Sequence, residues 1–218
     1  QSLAGRLHSS IDILMLVALI RDVEQVAYYT IAVGFIQLLH VLPDSISTAL
    51  FPTLAGIPRT EAARHAATVS RHSITWVALI ALALAAAAPF AIPLAYGKSY
   101  SASITPFLLL LPGVLLMTFY RVLARFFTAM DQQQVNILSQ VFSVSINIGL
   151  NFWLIPRYGI LGAATASLIS YSAEATLILL AFVKSEGIPI RSLLILRRDD
   201  LAFYRDRTRA LLRRFARY

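Results

Sequence analysis

Three carboxylic acids, Asp12, Asp44 and Glu174, stand within stretches of apolar sequence, and two arginines, Arg121 and Arg125, stand one helical turn apart. At the centre of a bilayer an ionised carboxylate costs roughly 2.5–3.5 kcal/mol on insertion scales. Each acid is therefore expected to face neighbouring helices or a hydrated cavity, where such groups serve ion and substrate paths. Asp44 follows Pro43 and precedes Ser45, Ser47 and Thr48. Gln140, Asn147 and Asn151 recur at spacings of seven and four, which puts all three on one helical face. Amides so placed bond to adjacent helices, and together with Glu174 they are candidates for ion coupling or for structural hydrogen bonding. Arg121 and Arg125 fit two roles. They anchor a helix end at the headgroups, or they form a cationic lip whose guanidinium forks grip two phosphate oxygens at a time.

Bond-making chemistry finds no support. "YGKSY" resembles the end of a phosphate-binding loop, but the required glycine five residues before Gly97 is Ile92. His8, His40, His65 and His72 show no metal-ligand spacing with carboxylates. No Ser/His/Asp set can be drawn, and the loops opposite the basic face lack the acidic cluster a membrane glycosyltransferase needs to hold a metal and a sugar nucleotide. With no cysteine there is neither a disulfide framework nor thiolate chemistry. No catalytic residue, metal, cofactor or nucleic-acid partner is expected.

The elements that must position the polar residues are membrane helices. Of 218 residues 58% are hydrophobic and only 14% charged, with mean hydropathy +0.70, against about 25% charged in an ordinary soluble domain. Residues 74–96, 135–155 and 159–173 carry no charge, and about 20 mostly apolar residues cross a bilayer as helix. The fold class is all-α, a polytopic bundle over residues 1–183 with spans of about 3–20, 24–51, 73–96, 102–129, 133–155 and 159–183. The second would be about 42 Å long, so tilt or Pro43 must absorb the excess. "IPRTEAARHAATVSRH" is expected to form a separate short helix started by Pro58. The short connections "RDVEQ", "GKSYSAS", "DQQQ" and "PRYG" force neighbouring helices antiparallel. After "PRYG" the chain resumes on small residues, with Gly162, Ala166 and Ser170 at four-residue spacing beside Ala163 and Ser167. Small residues permit close helix approach where lipid offers no hydrophobic drive.

Of the 19 lysines and arginines, 16 fall on one set of loops and ends, and Arg21, Lys98 and Arg157 on the other. The bias places both termini in the cytoplasm of a bacterial inner membrane. Residues 184–218 form a basic tail. From Leu201, Leu201, Tyr204, Leu211, Phe215 and Tyr218 share one side of a helical wheel, with arginines opposite and Asp199 or Asp200 placed as cap. Such a helix is expected to lie on anionic inner-leaflet lipids. The chain begins at Gln1, not Met, and is expected to be a piece of a longer protein.

The order of motifs resembles a known family. "RLHSSIDILML", "VAYYTIAVGFIQLLHVLPDSISTALFPTLA", "YGKSYSASITPFLLLLP" and "NIGLNFWLIPRYGILGAATASLISY" are similar to the C-terminal half of Wzx-type polysaccharide and O-antigen flippases of the MOP superfamily. That superfamily also includes lipid II flippases and multidrug exporters. The resemblance implies one of two six-helix bundles around a cavity that opens alternately to each face. Its cargo would be an undecaprenyl-pyrophosphate-linked oligosaccharide, moved outward during polysaccharide or lipopolysaccharide synthesis. The resemblance also puts the first two helices of the bundle on the cavity, where Arg6, Asp12 and Asp44 lie. The implied partners are the lipid-linked saccharide, a missing N-terminal six-helix bundle and other polysaccharide assembly proteins. Two readings stand beside it, a cation-coupled multidrug exporter and a non-transporting scaffold of a synthesis complex.

Overall fold

Helical periodicity runs through most of the chain and is interrupted at Asp22, Gly56–Pro58, Gly97 and Asp131. The computed structural model describes residues 3–20, 22–195 and 200, with side chains from Ser10 onward. Its helices are α1 (Leu3–Ile20), α2 (Val23–Ala55), α3 (Arg59–Tyr96), α4 (Ile104–Ala129), α5 (Gln133–Glu186) and the single turn α6 (Arg191–Leu194). A 3-10 segment, Lys98–Ser103, leads into α4, and no strand occurs among the described residues. Among the described residues, α2, α3, α4 with its leading turn, and α5 are each long and apolar enough to cross a membrane. The expected helix from Leu201 and the side chain of Arg6 lie outside the described residues.

Local chemistry sets the ends. Asp22 caps α2, its Oδ1 accepting from the backbone N–H of Glu24 at 3.0 Å and of Gln25 at 3.2 Å. The bond from the Gln25 backbone, with that from its side chain, holds the Asp22 carboxyl below the usual carboxylate range. Pro58 precedes α3, where its fixed φ suits a helix start.

The polar segment after Pro58 is not a separate helix. It continues into the apolar stretch as the 38-residue α3, about 57 Å long. Neither glycine nor proline occurs between Arg59 and Ala88 to break it. Its alanine face, Ala62, Ala63, Ala66 and Ala67, is buried against Phe126 and Phe127, so packing carries the helix through the polar region.

α5 is bent back on itself. At Gly159 the backbone adopts φ 57° and ψ −133°, a conformation that side chains with a Cβ avoid. The two arms, 133–158 and 160–186, then run side by side, each about 40 Å long. The Ser143 hydroxyl donates to the Ser170 carbonyl at 2.8 Å across the hairpin. A Cβ on Gly162 would sit 2.3 Å from the Leu154 carbonyl oxygen, so only glycine permits this approach. Ala163, Ala166, Ser167 and Ser170 continue the contact and are fully buried.

Packing separates into two apolar cores with a polar layer between them. One gathers Leu16, Tyr29, Ile36, Phe107, Ile155 and Ala163, and the other Leu50, Ala66, Phe119, Phe126, Ile178 and Phe182. Along α2 the first core reaches Leu39 and the second begins at Leu50, leaving His40, Asp44 and Ser47 between. Along α4 the change falls between Val114 and Met117, close to Thr118 and Arg121.

The hairpin generates a test. Gly162→Val should lower stability by at least about 2 kcal/mol, because the overpacked backbone has no room to yield. Gly149→Ala, where nothing lies within 4 Å of the added Cβ, should leave it unchanged or slightly raised. Thermal unfolding of the purified protein in detergent separates the two.

Candidate functional site

The polar layer is built around Asp12, which is only 1% exposed in the middle of α1. Tyr29 Oη of α2 donates to its Oδ2 at 2.8 Å, and Asn151 and Asn147 Nδ2 of α5 donate to its Oδ1 at 2.7 and 3.1 Å. The Ser167 hydroxyl, on the second arm of α5, also donates to Oδ2. Four neutral donors from α2 and both arms of α5 thus meet one carboxylate, and none is a cation. Beside it Asn147 Oδ1 accepts from Asn151 Nδ2 at 3.1 Å, while Asn151 Oδ1 is buried without a partner. Oxygen acceptors therefore converge here.

A second group lies deeper along α4. Arg121 is 5% exposed and its Nη1 pairs with Asp44 Oδ1 of α2. Glu174, on the second arm of α5, is 0% exposed, and neither carboxyl oxygen makes a well-formed hydrogen bond. Tyr120, Ser143 and Arg121 are its polar neighbours. Arg125, one turn beyond Arg121, is half-buried beside Tyr120 and Arg121.

Two residues connect the groups. Tyr171 stands among Asp12, Ser167, Glu174 and Arg121. His40 lines a narrow cavity with Asp12, Tyr29, Gln37 and Tyr171, and its buried Nε2 has no partner. Arg121 is also among its charged neighbours.

The candidate residues thus fall into two sets. Asp12, Asn147 and Asn151 come together at one point, and Asp44, Arg121 and Glu174 at another. Gln140 is half-buried, and the buried stripe on its arm runs Ser139, Ser143, Asn147 and Asn151 at four-residue spacing. Ser45 donates to the Val41 carbonyl, and Ser47 and Thr48 to that of Asp44, so these hydroxyls satisfy their own helix. Among the described residues no group of three or more acids and histidines is placed to hold a metal ion. Tyr29, Tyr171, Ser167 and His40 were not apparent as site residues from sequence. His40 had a usable signal, four residues before Asp44 and therefore on its face. Ser167 was hidden in a pattern that equally describes close packing.

No family model matches the sequence, and no curated protein does. Solved structures do match. The outward-facing conformation of a multidrug resistance MATE family transporter of the MOP superfamily has a TM-score of 0.71 at 19% identity, over 91% of this chain and 46% of that one. The inward-facing conformation of such a transporter gives 0.69 at 20%, over 93% and 48%. A MATE structure in the bent conformation gives 0.71 at 20%, over 91% and 46%. At such identities the likeness is one of fold. The chain spans about half the length of the transporters whose fold it shares.

The Asp12 cluster makes a prediction about stability. Interhelical hydrogen bonds in membrane proteins average about 0.6 kcal/mol and reach about 1.7. Asp12→Leu, which strands four donors, should therefore cost about 2–4 kcal/mol in detergent unfolding. Asp12→Asn keeps an acceptor and the shape, and should lose less than half as much.

Proposed function

We propose that this chain is one six-crossing half of a bacterial inner-membrane flippase of the MOP superfamily. It moves a lipid-linked, pyrophosphate-bearing oligosaccharide from the cytoplasmic to the periplasmic leaflet during polysaccharide or lipopolysaccharide synthesis, and no bond is made or broken. Residues 1–183 are the bundle, with α1 and the two arms of α5 among its crossings, and residues 184–218 are a cytoplasmic tail on anionic lipids. An N-terminal bundle completes the cavity, and other assembly proteins deliver the saccharide.

One observation carries this reading. Exposed positions on α3 and on the first arm of α5 are filled by large apolar groups such as Leu82, Phe90, Leu138 and Phe152, as lipid contact requires. The exposed strip of α2 is mixed, with Thr30, Gly34, Ser45 and Thr48 beside Leu38 and Val41, and its polar members suit the edge of a hydrated cavity. Asp44 opens from that strip onto Arg121. A phosphate at this position would compete with the Asp44 carboxylate for a guanidinium already held in place, with Arg125 one turn further on. Arg6, at the start of α1, is a second candidate for the same anion.

Asp12 supports ion coupling within the same reading. Its charge is met by dipoles alone, so a proton or a small cation among Asp12, Asn147, Asn151 and Ser167 would be stabilised and would tighten α1 against α5. This feature and the fold of multidrug MATE structures equally favour a second reading, a cation-coupled exporter of drug-like molecules.

Three outcomes follow. Reporter fusions after Lys98 and after Arg157 should read as periplasmic, and a cytoplasmic reading at both would reverse the orientation. In a flippase-null strain carrying the full-length protein at native level, Arg121→Lys should reduce polysaccharide export about tenfold while insertion is retained. The point charge of lysine cannot reproduce the two-oxygen grip. Full complementation by both Arg121→Lys and Arg6→Lys would make these residues anchors. If the parent protein fails to complement but lowers accumulation of cationic drugs, the exporter reading holds.

A further inference from the structure

The second group holds three charge-bearing side chains on three packed segments, and their charges do not balance. Arg121 brings one positive charge, while Asp44 and Glu174 can bring two negative ones. The structure gives the guanidinium to Asp44 alone. Glu174 is completely buried with no well-formed hydrogen bond on either oxygen, and Arg121 Nε is buried with its donor unused. Among the described residues, Arg121 is the cation that acts directly on Glu174. Tyr120 and Arg125 come from α4, and Ser143, which also donates to the Ser170 carbonyl, from the first arm of α5. Tyr171 shares its own arm and separates it from Asp12 of α1, while His40 and Asp44 approach Arg121 from α2.

We propose that Arg121 is shared between two carboxyl groups, and that Glu174 is a proton-binding residue which exchanges its proton for the guanidinium when Asp44 lets go. In the first state Arg121 pairs with Asp44 and Glu174 carries the proton. In the second, one proton has passed from the Glu174 carboxyl to the Asp44 carboxylate, and the ion pair is Arg121–Glu174. Each state contains one cation, one carboxylate and one neutral carboxyl group, so the buried layer stays electrically neutral throughout.

The surroundings give the exchange a direction. The Asp44 side chain is 17% exposed and that of Arg121 only 4%, so Asp44 is the partner that reaches the open strip of α2. Glu174 is the sealed one. α4 and the second arm of α5 are packed tightly, with Tyr171 Cδ2 2.8 Å from where a Cβ on Gly113 would lie. Arg121 and Glu174 therefore move as one body. α2 can shift against that body without stranding a buried guanidinium, because Glu174 takes over as its counterion. The exchange holds for any carried molecule, saccharide or drug.

The test needs no transport assay. Dicyclohexylcarbodiimide attacks protonated carboxyl groups in apolar surroundings, and labelling at Glu174 can be read by peptide mass spectrometry on the full-length protein in detergent. The parent should be labelled there. Asp44→Asn should reduce Glu174 labelling at least fivefold, because the released guanidinium ionises it, whereas Arg121→Gln should leave labelling at or above the parent level. An unlabelled parent, or equal labelling in parent and Asp44→Asn, would overturn the proposal. A stability cycle provides a second arm. Asp44→Asn and Glu174→Gln should each retain most of the folded yield, and the double variant should lose far more than the two losses combined. Additive losses would mean that the carboxyl groups do not share Arg121.

Discussion

A charge placed between apolar cores has to be answered by a group from another helix, and that constraint fixes how this chain packs. Asp12 can be buried in α1 only where Tyr29, Asn147, Asn151 and Ser167 converge on it. Arg121 can be buried in α4 only opposite a carboxylate from α2. Apolar contacts alone would tolerate sliding or rotation of helices with little loss, since lipid and leucine are similar surroundings. The polar layer removes that freedom by giving each helix one register in which its donors and acceptors are met.

The glycines serve this layer indirectly. Asn147 and Ser167 lie on opposite arms of α5, and their Nδ2–Oγ separation of 3.4 Å requires the arms to pack backbone to backbone. Gly159 supplies the reversal and Gly162 the clearance. Far from the layer, the opposite ends of the helices are tied by a half-exposed contact at Arg59 and a buried one at Arg71. Arg59 Nη2 reaches Glu186 at 2.6 Å and Gln132 at 3.0 Å while its guanidinium lies over the Phe126 ring. Arg71 grips Asp200 at two points, 2.6 and 2.7 Å, with His72 3.2 Å away. These clamps hold α3 to the end of α5 and to residue 200, whose carboxylate is thereby engaged with α3.

Much of the helical architecture was legible in the sequence because its signals are local. Charge-free runs, the short connections and the glycines near Pro156 depend only on near neighbours in the chain. The reading that failed, a separate helix before Ser73, failed because burial of Ala62 and Ala66 against α4 is a tertiary effect. The candidate site was legible as a set of residue types but not as two clusters. Asp12, Asn147 and Asn151 were each conspicuous, yet nothing in sequence reports that residues 135 and 139 positions apart share one carboxylate. Arg121 was read as a surface anchor or a phosphate lip, because its pairing with Asp44 is set by the packing of α2 on α4. Tyr29 and Tyr171 carried no signal that separates a packed ring from a polar bridge, whereas the four-residue spacing of His40 and Asp44 was such a signal.

Under the proposed function, the Arg121–Asp44 pair is the point at which an anionic ligand enters the polar layer. The most direct measurement is an experimental structure of the full-length protein with a polyprenyl-pyrophosphate ligand bound in the inward-open state. The expected result is Arg121 turned from Asp44 onto the phosphate oxygens, with the Asp12 cluster still closed. An intact Arg121–Asp44 pair with the pyrophosphate bound elsewhere would contradict it.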